Sequence, residues 1–188
     1  MNIKGTKSEE NLRTALAGES MARNKYTYYA QQAKQEGKDD IAELYTKMAE
    51  NEMNHAKVWF KLLNNGVPKT IENLQDSMKG ENSEWMTMYP NFAKQARQDG
   101  LEELAQMFEK VANIETAHEK RFMEEYIKLK MSQGEKVAAP VQETPKTAEP
   151  AWRCAFCGYT HKANGAEPLA VCPVCEAIGA FEKVLATF

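Results

Sequence analysis

From Ser8 to Lys130 apolar residues recur every three or four positions, the spacing that lays a single stripe along an α-helix. Four such stripes follow one another. The first runs through Leu12, Leu16, Glu19, Ala22, Tyr26, Tyr29 and Ala33, the second through Ile41, Leu44, Met48, Glu52, His55, Trp59 and Leu62. The third takes Ile71, Leu74, Met78, Glu81, Trp85, Met88 and Phe92, the fourth Leu101, Leu104, Phe108, Val111, Glu115, His118 and Phe122. Gly37, Gly66 and Gly100 fall where helices would end. Four long helices are predicted, with Thr6 and Glu9 as a capping box for the first and Asp39 or Asp40 as the cap of the second.

After Lys130 the pattern stops. Residues 131–150 carry Pro140, Pro145 and Pro150 among Ala, Lys and Glu, the composition of a linker. Residues 151–188 form a small module, broken by Gly158, Gly165, Pro168, Pro173 and Gly179 into turns and short strands. The expected organisation is therefore an all-α four-helix bundle over residues 1–130, a linker over 131–150, and a β-rich domain over 151–188.

The helical part repeats itself. Residues 26–57 align without a gap on residues 89–120, pairing Tyr26 with Tyr89, Ala30 with Ala93, Gly37 with Gly100, Glu52 with Glu115 and His55 with His118. Two helix hairpins of common design are implied. Glu19 lies 18 residues before Gly37 and Glu52 lies 15 after it, while Glu81 lies 19 before Gly100 and Glu115 lies 15 after it. At about 1.5 Å per residue the four carboxylates reach similar depths. One irregularity stands out: Glu19 to Tyr26 is seven residues but Glu81 to Tyr89 is eight. The extra residue predicts a π-bulge or kink between Glu81 and Pro90.

In each stripe an acid occupies a position that a core residue should hold. A lone Glu-x-x-His is more often a solvated pair than a ligand, but here two of them lie on apolar faces, where acid and imidazole project from one side a turn apart. With Glu84, one turn past Glu81, five carboxylates and two imidazoles converge where water is excluded. Unpaired, such charges cost several kcal/mol each, and the acids outnumber any partner. Two metal cations resolve the excess, and oxygen-rich ligation with one His per metal favours iron or manganese over closed zinc. A Glu-x-x-His from each of two helices plus a Glu from each of the others is the donor set of a carboxylate-bridged pair in a four-helix bundle.

The four cysteines form two Cys-x-x-Cys pairs, Cys154 with Cys157 and Cys172 with Cys175, separated by 14 residues. Four thiolates in this pattern wrap one metal tetrahedrally, as iron or as a structural zinc ribbon. Trp152, Tyr159 and Phe181 supply an apolar core, and His161 reads as an exposed loop residue rather than a ligand. Charge and hydropathy add exclusions. A net charge of -3 gives no electrostatic reason for nucleic acid or membrane partners. With a mean hydropathy of -0.63, no apolar leader and no long apolar stretch, a cytoplasmic protein is expected. The residues by themselves reach a redox-active di-metal protein.

The chain resembles the rubrerythrins over nearly its whole length. The resemblance rests on residues 17–26 (AGESMARNKY), on Glu52-x-x-His55, on Gly80-Glu81-Asn82-Ser83-Glu84-Trp85 leading to Met88-Tyr89-Pro90, on Glu115-x-x-His118-Glu119-Lys120-Arg121-Phe122, and on the cysteine module. It implies a ferritin-like bundle, up-down with one crossover, and a rubredoxin-like domain. It implies that Glu52 and Glu115 bridge two irons, that Glu19 and His55 serve the first and Glu81 and His118 the second. Glu84 would be the extra carboxylate that alternates with His55 on the first iron, and Tyr26 and Tyr89 would flank the site. One departure is Glu176, which follows the second cysteine pair where rubredoxins usually carry Gly, so a less regular second knuckle is expected. The implied activity is reduction of hydrogen peroxide to water, with electrons entering through one iron at the four cysteines, a site that also takes zinc. With no dinucleotide fingerprint in the chain, NAD(P)H electrons would arrive through a separate reductase or rubredoxin. The resemblance further implies a head-to-tail homodimer with electron transfer between chains. A ferroxidase or iron store, a di-iron oxygenase and a non-enzymatic metal-binding module are the competing classes.

Overall fold

The computed structural model describes residues 3–134, 148–164 and 167–186. The chain divides into two compact units, Met1–Lys69 and Thr70–Phe188. The expected linker lies mostly in residues 135–147, outside the described residues.

The first unit is a hairpin of α1 (Lys7–Gln35) and α2 (Asp39–Asn64). Thr6 caps α1 by accepting from the N–H of Glu9 at 3.2 Å, and the Glu9 carboxylate reaches back to the N–H of Gly5 at 2.7 Å. The capping box is present, with its return arm on Gly5 instead of Thr6. At the other end Gly37 takes φ 71° and the N–H of Lys38 closes onto the carbonyl of Ala33 at 2.8 Å. This closure delivers Lys38 straight into position as the residue before α2, without a side-chain cap. Asp39 and Asp40 are therefore not caps, contrary to the expectation. They sit in the first turn, where their charge complements the helix dipole.

The second unit begins with the third stripe, which is one helix interrupted: α3 (Thr70–Ser83), a π-turn (Glu84–Met88) and α4 (Tyr89–Gln98). The N–H of Tyr89 donates to the carbonyl of Glu84, the five-residue step that absorbs the extra residue. The predicted bulge lies where the repeat loses register. Pro90 follows directly, and having no N–H it would have broken the α-helical ladder there in any case. After Gly100, at φ 77°, α5 runs from Glu102 to Ser132.

Packing repeats as the sequence does. Ala30, Ala33 and Ala42 are buried in the first unit, and Ala93, Ala96 and Ala105 at corresponding positions in the second. Small side chains there let the paired helices approach closely. Beside each alanine set lies an aromatic cluster, Tyr26, Tyr29 and Tyr45 in one unit, Tyr89, Phe92 and Phe108 in the other. Among the described residues no helix is long and apolar enough to cross a membrane.

The C-terminal module holds an antiparallel sheet of order β2-β1-β3, from β1 (Glu149–Cys154), β2 (Thr160–Lys162) and β3 (Phe181–Ala186). Its interior is Ala151, Cys154, Ala163 and Cys172, with Tyr159, His161 and Phe181 stacked alongside. His161 is thus a half-buried strand residue, not an exposed loop residue, because its ring fills the gap between two aromatic neighbours. The fold class is the one expected, mostly helical with a small β-rich C-terminal domain.

The two knuckles are built alike. In the first, the N–H of Gly158 donates to Cys154 O at 3.0 Å and that of Cys154 to Tyr159 O at 2.8 Å. In the second, Glu176 donates to Cys172 O at 3.0 Å and Cys172 to Ala177 O at 2.9 Å. The expected irregularity at Glu176 is absent: Glu176 adopts φ 60°, matching Gly158 at φ 81°. The backbone pays for this fidelity, since a left-handed non-glycine residue costs about 1–2 kcal/mol. Glu176→Gly is expected to stabilise the module by about 1 kcal/mol. The check is the denaturant midpoint at which the metal-loaded cysteine centre loses its absorption, which should rise relative to the parent.

Candidate metal centres

Each unit carries one complete triad of donors. Glu19 on α1 meets Glu52 and His55 on α2, and Glu81 on α3 meets Glu115 and His118 on α5, in each case with one donor atom per residue within 4.8 Å of the others. The geometries match. Nδ1 of His55 lies 2.9 Å from Glu52 and 3.8 Å from Glu19, and Nδ1 of His118 lies 2.6 Å from Glu115 and 3.8 Å from Glu81. Nδ1 is therefore the imidazole atom turned toward the carboxylates. Three-residue spacing on one helix produces the short contact, and the depth match across the hairpin produces the long one.

The triads differ electrostatically. In the first, hydrogen bonds from His55 and then Glu19 hold the Glu52 carboxyl below the usual carboxylate range. In the second, burial and a hydrogen bond with Glu115 raise Glu81, with the charge of nearby Glu119 adding to the effect. Tyr89 is raised as well, by burial first and then by Glu84, Glu115 and Glu81. The tyrosine expected near the site thus lies within reach of its charges. Tyr26 packs in the aromatic cluster of α1 and α2. Glu84 opens the π-turn but stands outside both triads.

The cysteines converge as expected. Sγ of Cys154 lies 3.7 Å from that of Cys175, and Sγ of Cys157 lies 3.6 Å from that of Cys172. These separations exclude disulfides and match the roughly 3.8 Å edge of a tetrahedron with metal–sulfur bonds of about 2.3 Å. Burial opposes ionisation of Cys154, yet the N–H groups of Cys157 and Phe156 and the neighbouring thiols lower it to about 7. Burial raises Cys157 and Cys175. The Cys154 thiol is the one most easily ionised, and a cation favours ionisation of the raised Cys157 and Cys175.

Two features had no signal in the sequence. A Cβ placed on Gly158 would lie 3.3 Å from Nε2 of His118 and 3.4 Å from Cγ2 of Ile114, so the first knuckle rests on the imidazole of the second triad within the same chain. Glu119 binds across to the other helix, accepting from Nε1 of Trp85 at 2.5 Å and from Nδ2 of Asn82 at 3.2 and 3.3 Å. Both join residues more than thirty positions apart, which no local pattern encodes.

A family model described as rubrerythrin matches residues 10–126 and 72–153, and one described as the rubrerythrin rubredoxin-like domain matches residues 152–181. The rubrerythrin of Nitratidesulfovibrio vulgaris is 39% identical over 93% of this chain and 92% of its own length. That of Porphyromonas gingivalis is 36% identical over 93% and 88%. A solved structure of nigerythrin in a mixed-valence state is 28% identical over 94% of this chain and 86% of that one, at a TM-score of 0.38, so the assignment rests on the sequence matches. The donors fit the metals that this family implies: two carboxylate and imidazole triads suit a di-iron site, and the four cysteines suit a rubredoxin-type iron.

The raised Glu81 makes a pH prediction for the metal-free protein. A carboxyl whose folded affinity for protons exceeds its unfolded one stabilises the fold below the unfolded pKa, and that contribution is lost as pH rises through the folded value. Glu81→Gln is therefore expected to flatten the fall in melting temperature between pH 4.5 and pH 7, and to raise stability most at pH 7. Melting curves of metal-free parent and variant at the two pH values give the comparison, and an unchanged slope would contradict it.

Proposed function

The chain belongs to the rubrerythrin family, and from that premise we propose that it reduces hydrogen peroxide to water with electrons delivered through its cysteine centre. The reaction consumes two electrons and two protons per peroxide and breaks the O–O bond. The observation that supports this reading best is the contact of Gly158 with His118. A protein that only stores iron has no use for a one-electron centre whose backbone touches a ligand of its metal site.

In this reading Glu19 and His55 would hold one iron and Glu81 and His118 the other, with Glu52 and Glu115 as the carboxylates the pair would share. Irons held there would supply the two reducing equivalents that peroxide requires, and an iron at the four cysteines would supply one-electron reduction. The chain's own residues manage protons and position. Tyr89, kept protonated by burial and by three nearby carboxylates, presents a phenol O–H as a hydrogen-bond donor at neutral pH. Glu84 is the additional carboxylate available to the site. Glu81 has the raised proton affinity suited to holding a proton beside Glu115 until a cation displaces it. Of the four cysteines Cys175 is exposed, so the second knuckle faces solvent where a reductase or rubredoxin can approach. The second reading is a ferroxidase, which the same triads would serve without the cysteine centre.

The test is anaerobic stopped flow on the fully reduced, iron-loaded protein, following the visible absorption of the cysteine iron. Peroxide is expected to restore it faster than oxygen does; a faster response to oxygen sinks the proposal, and oxidation of Fe(II) beyond two per site into a mineral would favour the ferroxidase. Gly158→Ala, which presses a methyl toward His118, is expected to slow the peroxide-driven step while leaving the absorption spectrum in place.

A further inference from the structure

Glu119 is an acid in the wrong place for electrostatics. It is half-buried, one residue from His118, and its charge adds to the crowding that raises Glu81. Yet it is hydrogen-bonded to two side chains of the facing helix. Nε1 of Trp85 donates to it at 2.5 Å, and Nδ2 of Asn82 at 3.2 and 3.3 Å. Asn82 is in the last turn of α3 and Trp85 is the second residue of the π-turn, so the two attachments bracket Glu84.

We propose that Glu119 is a positioning residue that fixes where the π-turn sits in the third helix, and with it the direction in which Glu84 projects. An extra residue between Glu81 and Pro90 can be absorbed at more than one turn, and each shift of the bulge swings the residues it passes by about 100° around the axis. Tying Asn82 and Trp85 to one carboxylate on α5 requires both to face α5 together. Three residues apart, they do so only while the helix between them keeps its α-helical rotation, so the π-turn is kept from starting earlier than Glu84. The repeat supports the assignment. The counterpart of Glu119, 63 residues earlier, is Ala56, and the residues that follow Glu19 as Asn82 and Trp85 follow Glu81 are Ser20 and Arg23. The brace is present only in the half that has a bulge to hold.

The experiment is amide hydrogen exchange on the metal-free full chain, for the parent, Glu119→Ala, Glu119→Gln and Trp85→Phe. Exchange in residues 84–89 is expected to quicken about tenfold in Glu119→Ala and Trp85→Phe, the equivalent of one charge-assisted hydrogen bond. Glu119→Gln, whose amide oxygen still accepts from the indole, should stay near the parent. Amides of α1 and α2 should not change. Unaltered exchange in 84–89, or an equal rise in every helix, overturns the proposal, and Trp85→Phe decides it if Glu119→Ala does not fold. The link to Glu84 rests on the reading of Glu84 as a site carboxylate and has its own readout, anaerobic Co(II) titration. Glu119→Ala should lose the same factor in affinity as Glu84→Ala, and parent-like binding by Glu119→Ala removes that link. Neither measurement involves peroxide, so a failure of the peroxidase reading would show separately, as a parent enzyme without turnover.

Discussion

Like charge held at short range is the constraint around which this chain is built. Two carboxylates about 4 Å apart repel by about 4 kcal/mol at the effective dielectric of a protein surface. The chain places such a pair beside an imidazole twice over. The His55 bond to Glu52 and the bond between Glu81 and Glu115 each relieve one such contact. Alanine at the buried positions follows from the same requirement: carboxylates meet across a hairpin only if the backbones come close, and Ala33 with Ala42, or Ala96 with Ala105, leave that room. Metal binding and close helix packing are thus one requirement seen from two sides.

Much of this was legible in the residues because it is periodic or local. The stripes located the helices, the glycines their ends, and the acids on the stripes the two triads. The one-residue mismatch between Glu19–Tyr26 and Glu81–Tyr89 located the π-turn, since a helix has few other ways to absorb an insertion. What escaped was set by neighbours. Asp39 resembles a cap by residue type, but the closure at Gly37 places the boundary one residue earlier. His161 resembles a loop residue until Tyr159 and Phe181 are seen on either side of it. Glu176 breaks the glycine rule for a knuckle while leaving its hydrogen bonds intact, because the two bonds to Cys172 and Ala177 define the turn more strongly than the residue's own preference.

Gly158 shows how one position answers to two demands. Its φ of 81° belongs to the knuckle, and its missing side chain belongs to the contact with His118 and Ile114. Glu176 meets the first demand at the matching position without glycine. The difference between the two knuckles is then a difference in what lies against them, which explains why the glycine is kept on the side facing α5.

The π-turn has a consequence in genetic terms. The stretch from Glu81 to Tyr89 is one codon longer than that from Glu19 to Tyr26. Left in a regular α-helix, that codon would turn everything beyond it by about 100° and carry the aromatic and alanine faces off the core. The π-turn takes it up within five residues, so Ala93 and Ala96 stay buried as Ala30 and Ala33 are. A change in coding length is thereby confined to a single turn of one helix.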